Sequence, residues 1–222
     1  MKVDPRWTAV DQFITDSLIA PDAALDAALR DSIAGGLPSI NVTPAQGRFL
    51  QILAQSMGAR RILEVGTLGG YSAIWLARAL PPSGQLVTLE IDPATAAIAR
   101  VNLARARLDK IVDVRIGPAL ATLKTLAAEA REPFDLVFID ADKQNNPEYF
   151  QRALDLTHSG SLIVVDNAVR GGAIIDADSR DPDVQGTRRV YQVMSAEKRV
   201  IATAIQTVGS KGYDGFAIAR VL

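Results

Sequence analysis

Cysteine is absent from all 222 residues, which excludes both a disulfide framework and a thiolate metal site. A bias toward charge of one sign is absent too: 24 Lys and Arg stand against 25 Asp and Glu, a formal net charge of −1. That balance argues against the basic footprint of a nucleic-acid binder and the charged face of a membrane-surface protein. No apolar run is long enough to span a bilayer, and Met1-Lys2-Val3-Asp4-Pro5-Arg6 lacks the apolar core of a signal peptide. A cytoplasmic location is therefore the expectation. Internal repeats and low-complexity segments are missing as well. What remains reads as one domain, 1–222, with a sizeable core.

The hydrophobic period changes near residue 58. Over 6–20, Trp7, Val10, Ile14 and Leu18 share one helical face, and over 22–34 Leu25, Ala28, Leu29 and Ile33 do the same before Gly35-Gly36. Thr43-Pro44-Ala45-Gln46 opens a third helix, with Thr as cap, Pro first inside and Gln in the reciprocal capping position; it should end near Gly58. From residue 60 strands are expected at 61–66, 85–90, 111–116, 134–140 and 160–166. Helices fit between them at about 70–80, 93–108, 118–130 and 147–158, which predicts a parallel sheet covered on both faces. A helix near 182–198 precedes Val200–Thr207, Gly209-Ser210-Lys211-Gly212 and Tyr213–Val221. So short a link joins antiparallel neighbours, so the chain should end in a hairpin. The organisation expected is three helices (1–58) covering the site, then a sheet core (59–222).

Two stretches carry chemistry. Ile62-Leu63-Glu64-Val65-Gly66-Thr67-Leu68-Gly69-Gly70 joins a strand to a helix through glycines that a nucleoside could approach closely. A dinucleotide turn would read G-x-G-x-x-G, but Leu68 stands two residues after Gly66 and breaks that pattern. Glu64 would repel a pyrophosphate and attract a cationic group, such as the amino end of S-adenosylmethionine. Glu90 ends the second strand, where a carboxylate suits two ribose hydroxyls. Ile116-Gly117-Pro118-Ala119 ends the third with small residues that could admit a flat adenine. The competing readings are a glycine turn kept for packing and, for Glu90, an acidic neighbour of the helix cap before Pro93.

Phe134-Asp135-Leu136-Val137-Phe138-Ile139-Asp140-Ala141-Asp142-Lys143 ends in two carboxylates and a lysine, and Asp166-Asn167 end the fifth strand. If those strands are neighbours, Asp140, Asp166 and Asn167 converge as oxygen ligands suited to a hard cation such as magnesium. The alternative is helix capping. Lys143 is either a solvated loop lysine or, beside a cation that disfavours its ammonium form, a general base. His158, at the end of its expected helix, reads as a partner for the last carbonyls. Trp7, Trp75 and Phe49 read as packing, and Arg188-Arg189 as a solvated or interface pair.

Leu63-Glu64-Val65-Gly66-Thr67-Leu68-Gly69-Gly70-Tyr71-Ser72, then Phe138-Ile139-Asp140-Ala141-Asp142-Lys143, then Val165-Asp166-Asn167 with Gly171-Gly172, resemble the cation-dependent O-methyltransferases. This is the group of catechol and caffeoyl-coenzyme A O-methyltransferases and their bacterial members. The resemblance runs from about Thr43 to the final hairpin. It implies the α/β, Rossmann-like class I methyltransferase fold: a seven-stranded, mostly parallel sheet with helices on both faces and the last strand antiparallel between the fifth and sixth. It implies S-adenosylmethionine as methyl donor, a divalent cation (magnesium, with manganese or calcium as substitutes) and a small aromatic acceptor with adjacent hydroxyls. By position, the metal ligands fall on Asp140, Asp166 and Asn167, and the catalytic lysine on Lys143. Donor binding falls on Val42, Thr43, Glu64, Gly66, Ser72, Glu90 and Ala119, with Asp140 beside the donor's amino end. Ala168-Val169-Arg170 departs from the tryptophan-bearing stretch of plant members, and Arg170 could favour an acidic aromatic. The first three helices carry more apolar surface than the sheet needs, which points to a homodimer. Three rivals stay open: a metal-independent methyltransferase, a nicotinamide-dependent oxidoreductase and a non-catalytic binding module.

Overall fold

In a computed structural model of the chain, residues 3–129 and 132–222 are described, so the expected end of the helix at 118–130 lies outside them. The chain packs as two compact units, Phe13–Thr122 and Met1–Gln12 with Leu123–Leu222.

In the first unit, β1 (Arg61–Val65), β2 (Gln85–Glu90) and β3 (Val112–Ile116) lie parallel in the order β3-β2-β1. Val65 pairs with Leu89 and Glu90 with Ile116, so the three carboxyl ends share one edge. Around them are α2 (Ala23–Ala34), α3 (Pro44–Ser56), α4 (Tyr71–Ala77) and α5 (Pro93–Arg105). Side chains start three of these helices. Asp22 accepts from the amides of Ala24 and Leu25 at 3.0 Å, Thr43 from Gln46 at 3.2 Å and Asp92 from Thr95 at 2.8 Å. The third helix thus has the cap and the proline expected of it. Trp75 is buried with Arg48 4.8 Å above its ring, whereas Phe49 stays on the exposed side of α3.

In the second unit, β4 (Phe134–Ile139), β5 (Thr157–Asp166), β7 (Gly212–Val221) and β6 (Val200–Gly209) are neighbours in that order. β7 runs antiparallel to both β5 and β6, the inserted last strand that was expected. Gly209 pairs with Gly212, leaving Ser210 and Lys211 as the hairpin turn. α7 (Asn146–Asp155) and α8 (Pro182–Ala196) belong to the same unit. α6 (Ala119–Ala128) and α1 (Pro5–Leu18) each have residues in both units.

One expectation is corrected. β5 starts at Thr157 rather than 160, so His158 lies in a strand and not at a helix end. Its Nε2 bonds Asp135 Oδ1 at 2.9 Å, a cross-strand partner invisible to local reading. The helix at 6–20 forms, but α1 buries none of its residues, and Val10 and Leu18 are exposed along with Phe13. Periodicity fixes the helix and its stripe, not what covers the stripe.

Candidate active site

The cofactor turn is built by backbone geometry. Gly66 has φ 105° and Gly70, which caps α4 without a side chain, has φ 80°. Both lie in the left-handed region that glycine enters freely. Leu68 between them has φ 47° and donates its amide to Glu90 Oε2 at 2.9 Å, while Asp92 N donates to Oε1 at 3.1 Å. Glu90 therefore ties the turn to the end of β2. Each oxygen keeps a further lone pair for a hydroxyl. Gly69 serves packing rather than a ligand: a Cβ there would stand 1.9 Å from Ser32 Oγ of α2.

Glu64 is fully buried in β1 and accepts from Thr88 Oγ1 at 2.6 Å; Thr88 in turn lies 2.6 Å from Thr67 Oγ1. A carboxylate so placed calls for positive or hydrogen-bonding company. Ser72 stands in the first turn of α4, and Ala119 opens α6 just after Gly117, whose φ is 141°. Glu64, Gly66, Ser72, Glu90 and Ala119 thus ride on the three strands and the starts of the helices that follow them. Val42 is buried, and the Thr43 hydroxyl is engaged as the cap of α3.

In the other unit, β4 and β5 are parallel neighbours with Ile139 paired to Val165, so Asp140 and Asp166 follow at adjacent strand ends. Lys143 is buried, and its Nζ donates to Asp140 Oδ1 at 2.8 Å, which removes the solvated-lysine reading. Asp166 is buried and accepts the Asn167 amide at 2.8 Å. Helix capping does not account for these residues. The short turns at Lys143–Asn145 and Arg170–Ile175 have no side-chain cap bond, and the residues at the N-caps of α7 and α8 are Asn145 and Asp181. Among the described residues no three His, Cys, Asp or Glu converge, and the donor set here is two carboxylates and an amide oxygen. That set fits a hard divalent cation completing its shell with water or substrate oxygens.

The loop after β5 is wound tightly, with φ of 55° at Asn167, 54° at Arg170, 62° at Gly171 and 88° at Gly172. Two of these are not glycine, a conformation held only where the surroundings over-determine it. Asp214 of β7 supplies the restraint, its Oδ1 accepting from Val169 N at 3.0 Å and Arg170 N at 2.9 Å. Gly215 O accepts from Ala168 N at 2.9 Å, and Tyr191 donates to Ala168 O at 2.9 Å. Arg170 ion-pairs with Asp183 at 3.5 Å. Beside this loop lies a cavity of about 470 Å³ bordered by Val169, Gly172, Ile175, Tyr191 and Tyr213.

Lys211, at the hairpin tip, has Asp140 and Asp166 within electrostatic reach; burial lowers its pKa and the two carboxylates oppose that fall. Asp11 of α1 accepts from the neighbouring Ser210 amide at 2.7 Å. The arginine pair also has work: Arg188 bonds Ile174 O, and Arg189 bonds Gln144 O at 3.1 Å. Reading along the chain missed Asp214 and Lys211, because each acts on a loop far away in sequence, and Tyr149, which bonds Asp142 from beyond the turn seven residues earlier. The antiparallel hairpin was the one available signal for the first two.

Known proteins resemble this chain along nearly its whole length. A family described as O-methyltransferase matches residues 21–220. A catechol O-methyltransferase of Mycobacterium tuberculosis is 53% identical over 221 residues, covering 100% of this chain and 99% of its own. The crystal structure of an O-methyltransferase from Bacillus cereus in complex with SAH superposes with a TM-score of 0.97 at 56% identity, covering 98% of this chain and 99% of that one. TomG of Streptomyces achromogenes, an O-methyltransferase of tomaymycin synthesis solved with SAM, gives 0.96 at 47% identity and covers 100% and 99%. Likeness of this extent assigns the seven strands to the class I methyltransferase fold.

Proposed function

The chain belongs to the O-methyltransferase family, and from that premise we propose that it moves the methyl group of S-adenosylmethionine to one hydroxyl of a vicinal-dihydroxy aromatic, with a divalent cation bound. The observation that carries the reading is the buried pairing of Lys143 with Asp140, on the strand end beside Asp166 and Asn167. The relative named catechol O-methyltransferase and the relatives solved with SAM and SAH support it.

Residues of the first unit serve the donor. Glu90 offers its remaining lone pairs to the ribose hydroxyls, and Gly66 with Ser72 lets the donor lie against the turn. Glu64 supplies negative charge for a cationic donor, and Ala119 leaves room for the adenine. Val42 and Thr43 complete this set. Asp140, Asp166 and Asn167 hold the cation, magnesium first and manganese or calcium as substitutes, with Asp140 also serving the donor's amino end. A cation held there would acidify an acceptor hydroxyl and would compete with Lys143 for the Asp140 carboxylate. In its neutral amine form Lys143 Nζ accepts the hydroxyl proton. The oxygen forms its bond to the methyl carbon as the carbon–sulfur bond breaks, and S-adenosylhomocysteine leaves. Orientation of the two reactants contributes about 7–11 kcal/mol of such acceleration in well-aligned cases.

A screen of catechols and hydroxycinnamates with methyl-labelled donor tests the reading. Label in a mono-O-methylated product is expected. Label that stays wholly in the donor across the screen would contradict this acceptor class.

A further inference from the structure

The turn that carries Lys143 is held in place by groups outside the candidate donor and cation residues. Asp142, directly before the lysine, has both carboxylate oxygens engaged: Tyr149 of α7 donates its hydroxyl to Oδ1 at 2.6 Å, and Asn145 donates its amide to Oδ2 at 2.6 Å. Tyr149 is buried, and burial together with the Asp142 carboxylate keeps its hydroxyl protonated and donating. On the far side, α8 lies against the main chain of the same turn. A Cβ on Gly186 would stand 2.1 Å from Lys143 O and 2.6 Å from Gln144 Cα, so glycine alone permits this approach. Arg189 adds its bond to Gln144 O at 3.1 Å.

These restraints hold the main chain from which Lys143 reaches Asp140 Oδ1, and burial narrows the conformations left to its side chain. A lysine has four rotatable side-chain bonds, so holding its backbone is the economical way to hold its tip. We propose that Tyr149 is a positioning residue for Lys143, acting through Asp142, with Gly186 as the seat against which the turn is pressed. This rests on the reading of Lys143 as the proton acceptor.

The test is a double-mutant cycle on the full-length protein. Tyr149→Phe keeps the buried ring and removes one hydrogen bond. With Lys143 present it should lower kcat about tenfold while the acceptor KM and donor Kd change by less than about twofold. In the Lys143→Met background the same change should alter kcat by less than about twofold, because there is no lysine left to position. Asn145→Ala, which reaches the other oxygen of Asp142, should repeat the pattern and guards against a folding defect peculiar to Tyr149. Equal losses in both backgrounds, or a change confined to KM, would overturn the positioning role and leave Lys143 as the base. A Lys143→Met enzyme with normal turnover would overturn both.

Discussion

Lys143 has exchanged water for the Asp140 carboxylate 2.8 Å away, and an amine buried at that cost needs a use. Replacing it by Met should leave donor and cation binding in place and lower turnover by about 100- to 10,000-fold, the range for removing a general base. Lys143→Arg should fail nearly as badly, since a guanidinium does not deprotonate in this range. An arginine variant with near-normal turnover would make the residue a positive charge and nothing more. Glu90→Ala should weaken S-adenosylmethionine binding by roughly 1.5–3 kcal/mol through loss of charge-assisted bonds to the ribose. Unchanged affinity by calorimetry would remove the ribose assignment. His158 offers a pH test, because its bond to Asp135 raises its pKa above the ordinary 6.5. The raised value belongs to the folded state, so the contribution to stability is complete below about pH 6.5 and disappears as pH climbs through the folded value. The melting-temperature gap between the wild type and His158→Gln should therefore narrow on going from about pH 5.5 to about pH 8.5. A gap that widens would contradict it.

The ligand loop after β5 depends on Asp214, which follows Val169 by 45 residues in sequence. Asp214→Ala removes the acceptor of two amides and should let Asn167 leave its left-handed conformation. Faster hydrogen exchange at Val169 and Arg170 is expected, with weaker magnesium binding. Unaltered exchange would mean that the glycines alone hold the loop. Elements whose signals are local were legible in advance: the cap and proline of α3, the apolar runs of β1, β2 and β4, and the glycine-bearing hairpin. The start of β5 was not. Thr157 to Ser159 carries no strand pattern, and its pairing is fixed by Phe134 across the ladder. The same limit hid Asp214 and Tyr149, whose partners are distant in sequence or lie behind a turn.

Across the whole molecule, motif residues at strand ends were readable because parallel strands deliver their functional groups at one edge by construction. Surface apolar groups were not assignable in the same way. Val10, Phe13 and Leu18 stand exposed on α1, and the homodimer expected from the sequence would cover them. Phe13→Asp should then shift the sedimentation of a dimer toward that of a monomer, while a wild type that sediments as a monomer would end the idea. No described helix is long and apolar enough to cross a membrane. The central claim, that Asp140, Asp166 and Asn167 hold a cation the reaction needs, has a direct test. Methyl transfer from labelled S-adenosylmethionine to catechol should fall to background after treatment with EDTA and return when magnesium is restored. Transfer undiminished in EDTA would contradict the account and make the enzyme a metal-independent methyltransferase.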